Sequence, residues 1–217
     1  MSLKKEEVAG IRQEYKLGQL SEAELANDPL VQFRSWFEEA VNKGVMEPNA
    51  MTLSTVSLSG QPSSRIVLLK AIDEAGLGFY TNYNSRKGAE LAANPHASIL
   101  FFWPELQRQV RIEGKVVKLP VEASDTYFRS RPKGSKLGAI ASPQSQEIES
   151  RDTLEKALHL LEQEYQHHED VPRPAHWGGY QLQPSRFEFW QGGGNRLHDR
   201  LVYKKEDNIW KIVRLAP

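Results

Sequence analysis

The sequence predicts an α+β fold: an antiparallel β-sheet closing into a small barrel, with helices on its outside. Three observations point there. Strand-forming segments dominate the middle of the chain, where the apolar period changes to two at Met51. Short turns, Ser59-Gly60-Gln61-Pro62 and Asp73-Glu74-Ala75-Gly76, join neighbouring strands as hairpins. Segments with helical spacing lie at the start of the chain and between strands, the arrangement of peripheral helices on a barrel. No internal repeat, low-complexity run or dividing linker is visible. Residues 1–217 therefore read as a single domain, with a helical N-terminal segment (1–48) and a barrel with peripheral helices (49–217).

Each element follows from local chemistry. Val8, Ile11 and Tyr15 have helical spacing, and Ser21 with Glu24 forms a capping-box pattern. Asp28-Pro29 starts a helix carrying Leu30, Phe33, Phe37, Ala40 and Val41, with Gly44 as its stop. Met51 to Leu58 is a strand. Arg65 to Ile72 is another, and its apolar centre Ile66-Val67-Leu68-Leu69 predicts burial on both faces. Leu77 to Asn82 is a strand, Ser85 to Ala93 a short helix ended by Asn94-Pro95, and Ala97–Trp103 and Gln107–Leu119 are strands. Pro120 to Ser130 reads as a helix and Arg131-Pro132-Lys133-Gly134-Ser135 as a polar loop. Asp152 with Glu155 caps a helix whose stripe is Leu154, Leu158, Leu161 and Tyr165. His167 to Pro174 is a linker. Tyr180–Trp190, Arg200–Tyr203 and Ile209–Val213 close the chain as strands.

Composition excludes whole classes of function. Lys+Arg number 28 and Asp+Glu 28, so the chain is neutral and lacks the basic excess of a general nucleic-acid binder. No apolar run approaches the roughly 18 residues of a membrane helix, and the N-terminus has no signal-peptide pattern. There are no cysteines, which removes disulfides, thiolate nucleophiles, iron–sulfur clusters and Cys-bearing zinc sites. A cytoplasmic location and no metal are the expectations. Nucleotide-binding glycine fingerprints, the H-E-x-x-H zinc motif and the G-x-S-x-G elbow are all absent.

Three cation-bearing clusters remain. In Tyr80-Thr81-Asn82-Tyr83-Asn84-Ser85-Arg86-Lys87 a strand ends and a helix begins with two cations in its first turn. Cations there oppose the helix dipole, and a bound phosphate reverses the sign of that interaction. Arg65 and Lys70 bracket the apolar strand beside it. The second cluster is Tyr127, Arg131, Lys133, Ser135 and Lys136, a set suited to another phosphate but equally to an exposed loop. The third is Phe187-Glu188-Phe189-Trp190-Gln191-Gly192-Gly193-Gly194-Asn195-Arg196-Leu197-His198-Asp199-Arg200. Strand periodicity puts Arg196, His198 and Arg200 on one face, with Asp199 pointing away, so that an anionic or polar ligand is expected there; a charge-protected edge strand is the alternative.

With these segments assembled, the chain resembles the pyridoxine/pyridoxamine 5′-phosphate oxidase family of split-barrel flavoproteins. The resemblance runs from about Arg12 to Arg214-Leu215-Ala216-Pro217. It is carried by Arg65–Lys70, Phe79-Tyr80-Thr81-Asn82, Ser85-Arg86-Lys87, Glu105–Val110, Phe128–Pro132, Phe189–Gly192 and Arg196–Arg200. It implies an FMN-binding split barrel, oxidation of pyridoxamine or pyridoxine 5′-phosphate by oxygen, and a homodimer with FMN at the subunit interface. By position, FMN contacts fall on Arg65, Ile66, Val67, Leu68, Leu69, Lys70, Tyr80, Thr81, Arg86, Lys87, Gln109, Gln144, Ser145, Trp190 and Arg200. Lys70, Tyr127, Arg131 and Ser135 hold the substrate phosphate; Arg196 and His198, with Leu197 between them, line its reacting end as the catalytic pair. Arg12 and Tyr15 belong to a segment that can close over the site. Gln13, Gly194-Asn195, Ile140 and Pro143 depart from the family pattern. Two alternatives stand beside this reading. One is a related flavin oxidase acting on another aromatic metabolite such as a phenazine precursor, against which the phosphate set argues. The other is a non-catalytic FMN- or pyridoxal-phosphate-binding protein, against which Arg196 and His198 argue.

Overall fold

The computed structural model describes residues 10–11, 14–168, 170–207 and 209–217. Arg12 and Gln13 lie outside them. The chain forms two compact units interleaved along the sequence: Met1–Pro48 with Leu100–Ile112 and Arg186–Pro217, and Asn49–Ile99 with Glu113–Ser185.

The second unit holds the hairpin strands β1 (Ala50–Val56) and β2 (Pro62–Leu68), then β3 (Ala71–Asp73) and β4 (Gly76–Asn82). Parts of three longer strands, β5 (His96–Trp103), β6 (Arg108–Lys118) and β7 (Trp177–Gln191), complete the order β2-β1-β5-β6-β7-β4-β3. β1 pairs antiparallel with β2 (Leu53 opposite Arg65), and β4 with β7 (Tyr80 opposite Gly179). Alternate residues Met51 and Leu53 of β1 point into a core shared with Leu77, Phe79, Ile99 and Leu182. A satellite core of Phe128, Leu137, Val171 and Trp177 supports the helices that follow β6.

In the first unit, the helix α1 (Pro29–Asn42) starts as expected, with Asp28 accepting from the backbone N–H groups of Leu30 at 2.7 Å and Val31 at 3.3 Å. Its Phe33 and Trp36 are buried against Phe101 and Phe189, at ring distances of 5.0 and 5.2 Å. The strands β8 (Asp199–Glu206) and β9 (Ile209–Arg214) extend antiparallel from β7.

Four local expectations need correction. Residues 14–20 are not helical: the N–H groups of Lys16 and Leu17 go to Gln107 Oε1 and that of Leu20 to Asp199 Oδ2, which leaves no helical ladder. The Ser21–Glu24 capping box is present, with Glu24 accepting from the Ser21 N–H, and it opens a three-residue 3-10 turn, Glu22–Glu24. The apolar strand breaks at Leu69-Lys70, where the two N–H groups bond to Asn49 and Gly78 carbonyls, and Ile66 is 63% exposed rather than buried. The polar loop is instead the start of a helix, α4 (Lys133–Ala141), which follows α2 (Arg86–Ala93) and α3 (Val121–Ser130). Pro132 accepts from Ser135 and Lys136, a helical start with a proline at its border. In α5 (Arg151–Glu164) the N-cap is Ser150, not Asp152. Among the described residues no helix is long and apolar enough to cross a membrane, and no cluster of three acidic or histidine side chains could hold a metal.

Candidate active site

A cavity of about 890 Å³ opens in the second unit, where the end of β4, the start of α2, strand β2 and the α3–α4 junction converge. Its size suits a small-molecule or cofactor site. Of the residues expected at a ligand, Arg65, Ile66, Val67, Leu68, Lys70, Tyr80, Thr81, Arg86, Lys87, Tyr127, Arg131, Ser135, Gln144 and Ser145 line it. Leu69 does not; it is buried in the core. Ser63, Ser64, Asn82, Gly138, Ala139, Ser142 and Trp177 also line it and were not anticipated.

The first set of cations sits at the entry to α2. Ser85 caps the helix, accepting from the Gly88 N–H at 3.3 Å while donating to Asn82 O at 2.7 Å. That fixes Lys87, which is 7% exposed and donates to Thr81 Oγ1 (3.1 Å), Ser85 Oγ (3.1 Å) and Gln144 Oε1 (2.8 Å). Burial, with Arg65 nearby, pulls the Lys87 ammonium down to about 8 from its ordinary value. Such a cation is better satisfied by an anion than by neutral oxygens. The turn is tight: a Cβ at Gly88 would lie 2.0 Å from the Tyr83 carbonyl oxygen, so only glycine fits.

Beneath these cations lies Glu90, 6% exposed and absent from the sequence reading. Its carboxylate accepts from Thr55 (2.5 Å), Ser63 (2.6 Å), Arg65 (3.3 Å) and Arg86 (2.9 Å). Burial works to raise its pKa, but those hydroxyls and cations outweigh it and hold Glu90 at about 2. The signal was present as an Arg86…Glu90 pair at i, i+4 on a helix.

The second set is aromatic and cationic. Tyr80 stacks on Tyr127 at 3.9 Å and on Trp177 at 5.5 Å, and the Arg131 guanidinium lies 4.7 Å from the Trp177 ring centre. Burial lowers the Arg131 pKa, and its Nη1 is buried with no hydrogen-bond partner. An unpaired buried guanidinium nitrogen in a cavity wall fits an anionic ligand.

The remaining expected residues, Tyr15, Gln109, Trp190, Arg196, Leu197, His198 and Arg200, belong to the other unit and do not line this cavity. There Tyr15 packs edge-on to Trp190 at 5.6 Å and near His198 at 5.7 Å, and Trp190 lies 4.8 Å from His198. His198 Nδ1 accepts from the Gly193 N–H at 3.1 Å, so the neutral imidazole carries its proton on Nε2. Arg196 and Leu197 are exposed. The alternation of 196, 198 and 200 along one strand does not occur. Gly194–Arg196 is a 3-10 turn with Asn195 and Arg196 at φ of 53° and 61°, and β8 begins only at Asp199. A left-handed conformation at a non-glycine residue costs about 1–3 kcal/mol. Nor is Arg200 without a counter-charge: Glu188 accepts from its Nε at 2.9 Å and from its Nη2 at 2.8 Å. Asp199 pairs with Arg214.

Residues 37–164 match the family model for pyridoxamine 5′-phosphate oxidase, and residues 177–217 match the pyridoxine 5′-phosphate oxidase C-terminal dimerisation region. The chain is 56% identical over 214 residues to the pyridoxine/pyridoxamine 5′-phosphate oxidase of Cupriavidus pinatubonensis, covering 97% of this chain and 99% of the relative. The chain belongs to the pyridoxine/pyridoxamine 5′-phosphate oxidase family. The Salinibacter ruber member is 52% identical, over 97% of this chain and 99% of its own length. Among solved structures, PhzG from Burkholderia lata 383, in complex with tetrahydrophenazine-1-carboxylic acid, matches with a TM-score of 0.85 at 33% identity, covering 90% of this chain and 95% of that one. An FMN-binding protein of Nostoc punctiforme related to pyridoxamine 5′-phosphate oxidase shares the fold, with a TM-score of 0.69 at 16% identity and coverage of 89% and 100%. The fold is thus the α+β split barrel with peripheral helices that the sequence predicted.

Proposed function

We propose that the protein oxidises pyridoxamine 5′-phosphate and pyridoxine 5′-phosphate with oxygen, using FMN, to give pyridoxal 5′-phosphate and hydrogen peroxide, with ammonia released from the amine. The observation that carries this reading is a single cavity lined by two phosphate-suited sets, Arg65 with Arg86 and Lys87, and Lys70 with Tyr127, Arg131 and Ser135. The first set fits the FMN phosphate: Lys87 is a buried cation whose present partners are all neutral. The second fits the substrate phosphate, because an anionic oxygen satisfies the orphaned Arg131 Nη1. FMN supplies, when bound, a two-electron acceptor that oxygen reoxidises.

The chain's own residues then bind and orient. Anchoring both phosphates fixes the reacting carbon and removes orientational entropy from the barrier. The family's C-terminal dimerisation region supports a homodimer, with each site built from both chains. In that dimer the Arg196 and His198 of one chain line the reacting end of substrate held in the other's cavity. Arg196 is too basic to shuttle protons and steadies the substrate; His198, anchored through Nδ1, presents Nε2 as a hydrogen-bonding group. Tyr15 belongs to an N-terminal segment that can close over the site.

The PhzG match favours one competing reading, oxidation of a phenazine precursor. Peroxide release from pyridoxamine 5′-phosphate, unphosphorylated pyridoxamine and a tetrahydrophenazine carboxylate separates the two. The proposal expects turnover of the first alone at low concentration; preference for the phenazine compound refutes it.

A further inference from the structure

The cradle at the start of α2 contains three cations, Arg65, Arg86 and Lys87, and one carboxylate, Glu90, so it carries a surplus of two positive charges. A phosphate monoester above its second pKa carries two negative ones. Glu90 is built into this site rather than exposed beside it. One oxygen takes Thr55, Ser63 and Arg65 from the β1–β2 hairpin, and the other takes Arg86 one helical turn earlier. Arg65 is held further by the Leu53 carbonyl at 3.2 Å and by Thr55 and Ser63 at 2.5 Å. We propose that Glu90 is a positioning residue that pins Arg65 and Arg86 to the cradle and trims its charge to match a phosphate monoester dianion. The proposal rests on the reading of this cavity as the FMN phosphate site.

The charged groups acting on Lys87 are Arg65 from β2 and Glu90 from its own helix; neutral Thr81 and Gln144 reach it from β4 and from the segment after α4. Glu90 therefore helps keep Lys87 protonated, and Arg65 opposes this. A phosphate that needs the Lys87 cation binds more weakly once that proton is lost.

The test is a titration of the flavin-free full-length protein with FMN, followed by flavin fluorescence from about pH 6.5 to about pH 10. Riboflavin is the phosphate-free control. Wild type should lose FMN affinity above about pH 8, while riboflavin binding stays flat. Glu90→Gln, nearly isosteric, should move that onset down by about one pH unit, and Glu90→Asp should restore it. An unmoved onset in Glu90→Gln overturns the proposal, since a merely structural carboxylate would change affinity at every pH alike. If Glu90→Gln does not fold, Arg65→Gln carries the test: the charge balance requires its onset to rise, and an unchanged onset refutes it. Inorganic phosphate, read through thermal stabilisation, separates the two claims. Stabilisation with the same onset but no FMN binding removes the flavin reading and keeps the charge match; absence of both removes both.

Discussion

Lys87 is a buried cation in the first turn of α2. Its pKa is depressed to about 8 in the folded chain and is 10.5 ordinarily. Between those values the unfolded chain binds more protons, so Lys87 makes ligand-free stability rise with pH across that window. Subtracting the denaturation profile of Lys87→Met from that of wild type should reveal this rise; a flat difference contradicts the burial argument. Glu90 acts in the opposite window, stabilising above its ordinary 4.5 and losing that contribution as pH falls towards about 2. At the second cradle, Arg131→Lys keeps charge but loses the planar stack on Trp177. It should raise KM for pyridoxamine 5′-phosphate by about tenfold with kcat little changed, the signature of lost uniform binding; an equal loss in kcat would move Arg131 to the chemistry. Much of this was legible, since Arg86 and Lys87 at a helix start are anomalous without an anion. What was not legible were the partners: nothing local in Arg196-Leu197-His198-Asp199-Arg200 says that Glu188, more than ten residues upstream, neutralises Arg200.

Elements set where those side chains stand. The α2 start depends on Ser85 as its cap and on Gly88 against Tyr83, so Gly88→Ala should destabilise the fold by about 3 kcal/mol or more and lower bound flavin with it, because a Cβ there meets backbone that cannot yield. Chemical denaturation with flavin quantification checks both; near-normal stability would mean the turn is not close-packed. The sequence identified α2 because its cap, cations and stop are local. It misread α4 because Pro132-Lys133-Gly134-Ser135 has loop composition, and the helix is decided by Leu137 reaching the Phe128–Trp177 core. It misread β2 because four consecutive apolar residues look like a strand covered on both faces, whereas one face, with Ile66, is open in the single chain.

At the scale of the whole molecule, the family's dimerisation region suggests a homodimer, and the proposed function builds each site from both chains. Mixing Lys87→Met with Arg196→Ala, each defective alone, should restore about one quarter of wild-type activity. Random exchange makes half the dimers mixed, and each mixed dimer has one intact site. No recovery after verified subunit exchange would mean that each site is complete within one chain. The barrel class was readable from period and turns, because antiparallel hairpins are local; a single sequence carries no record of which copy of the chain supplies which group. The most direct measurement mixes flavin-loaded protein with pyridoxamine 5′-phosphate without oxygen and follows the flavin absorbance, then readmits air. The account predicts bleaching of the flavin by the phosphorylated amine, then recovery with one peroxide per flavin. A flavin that stays oxidised in the presence of saturating substrate would contradict it.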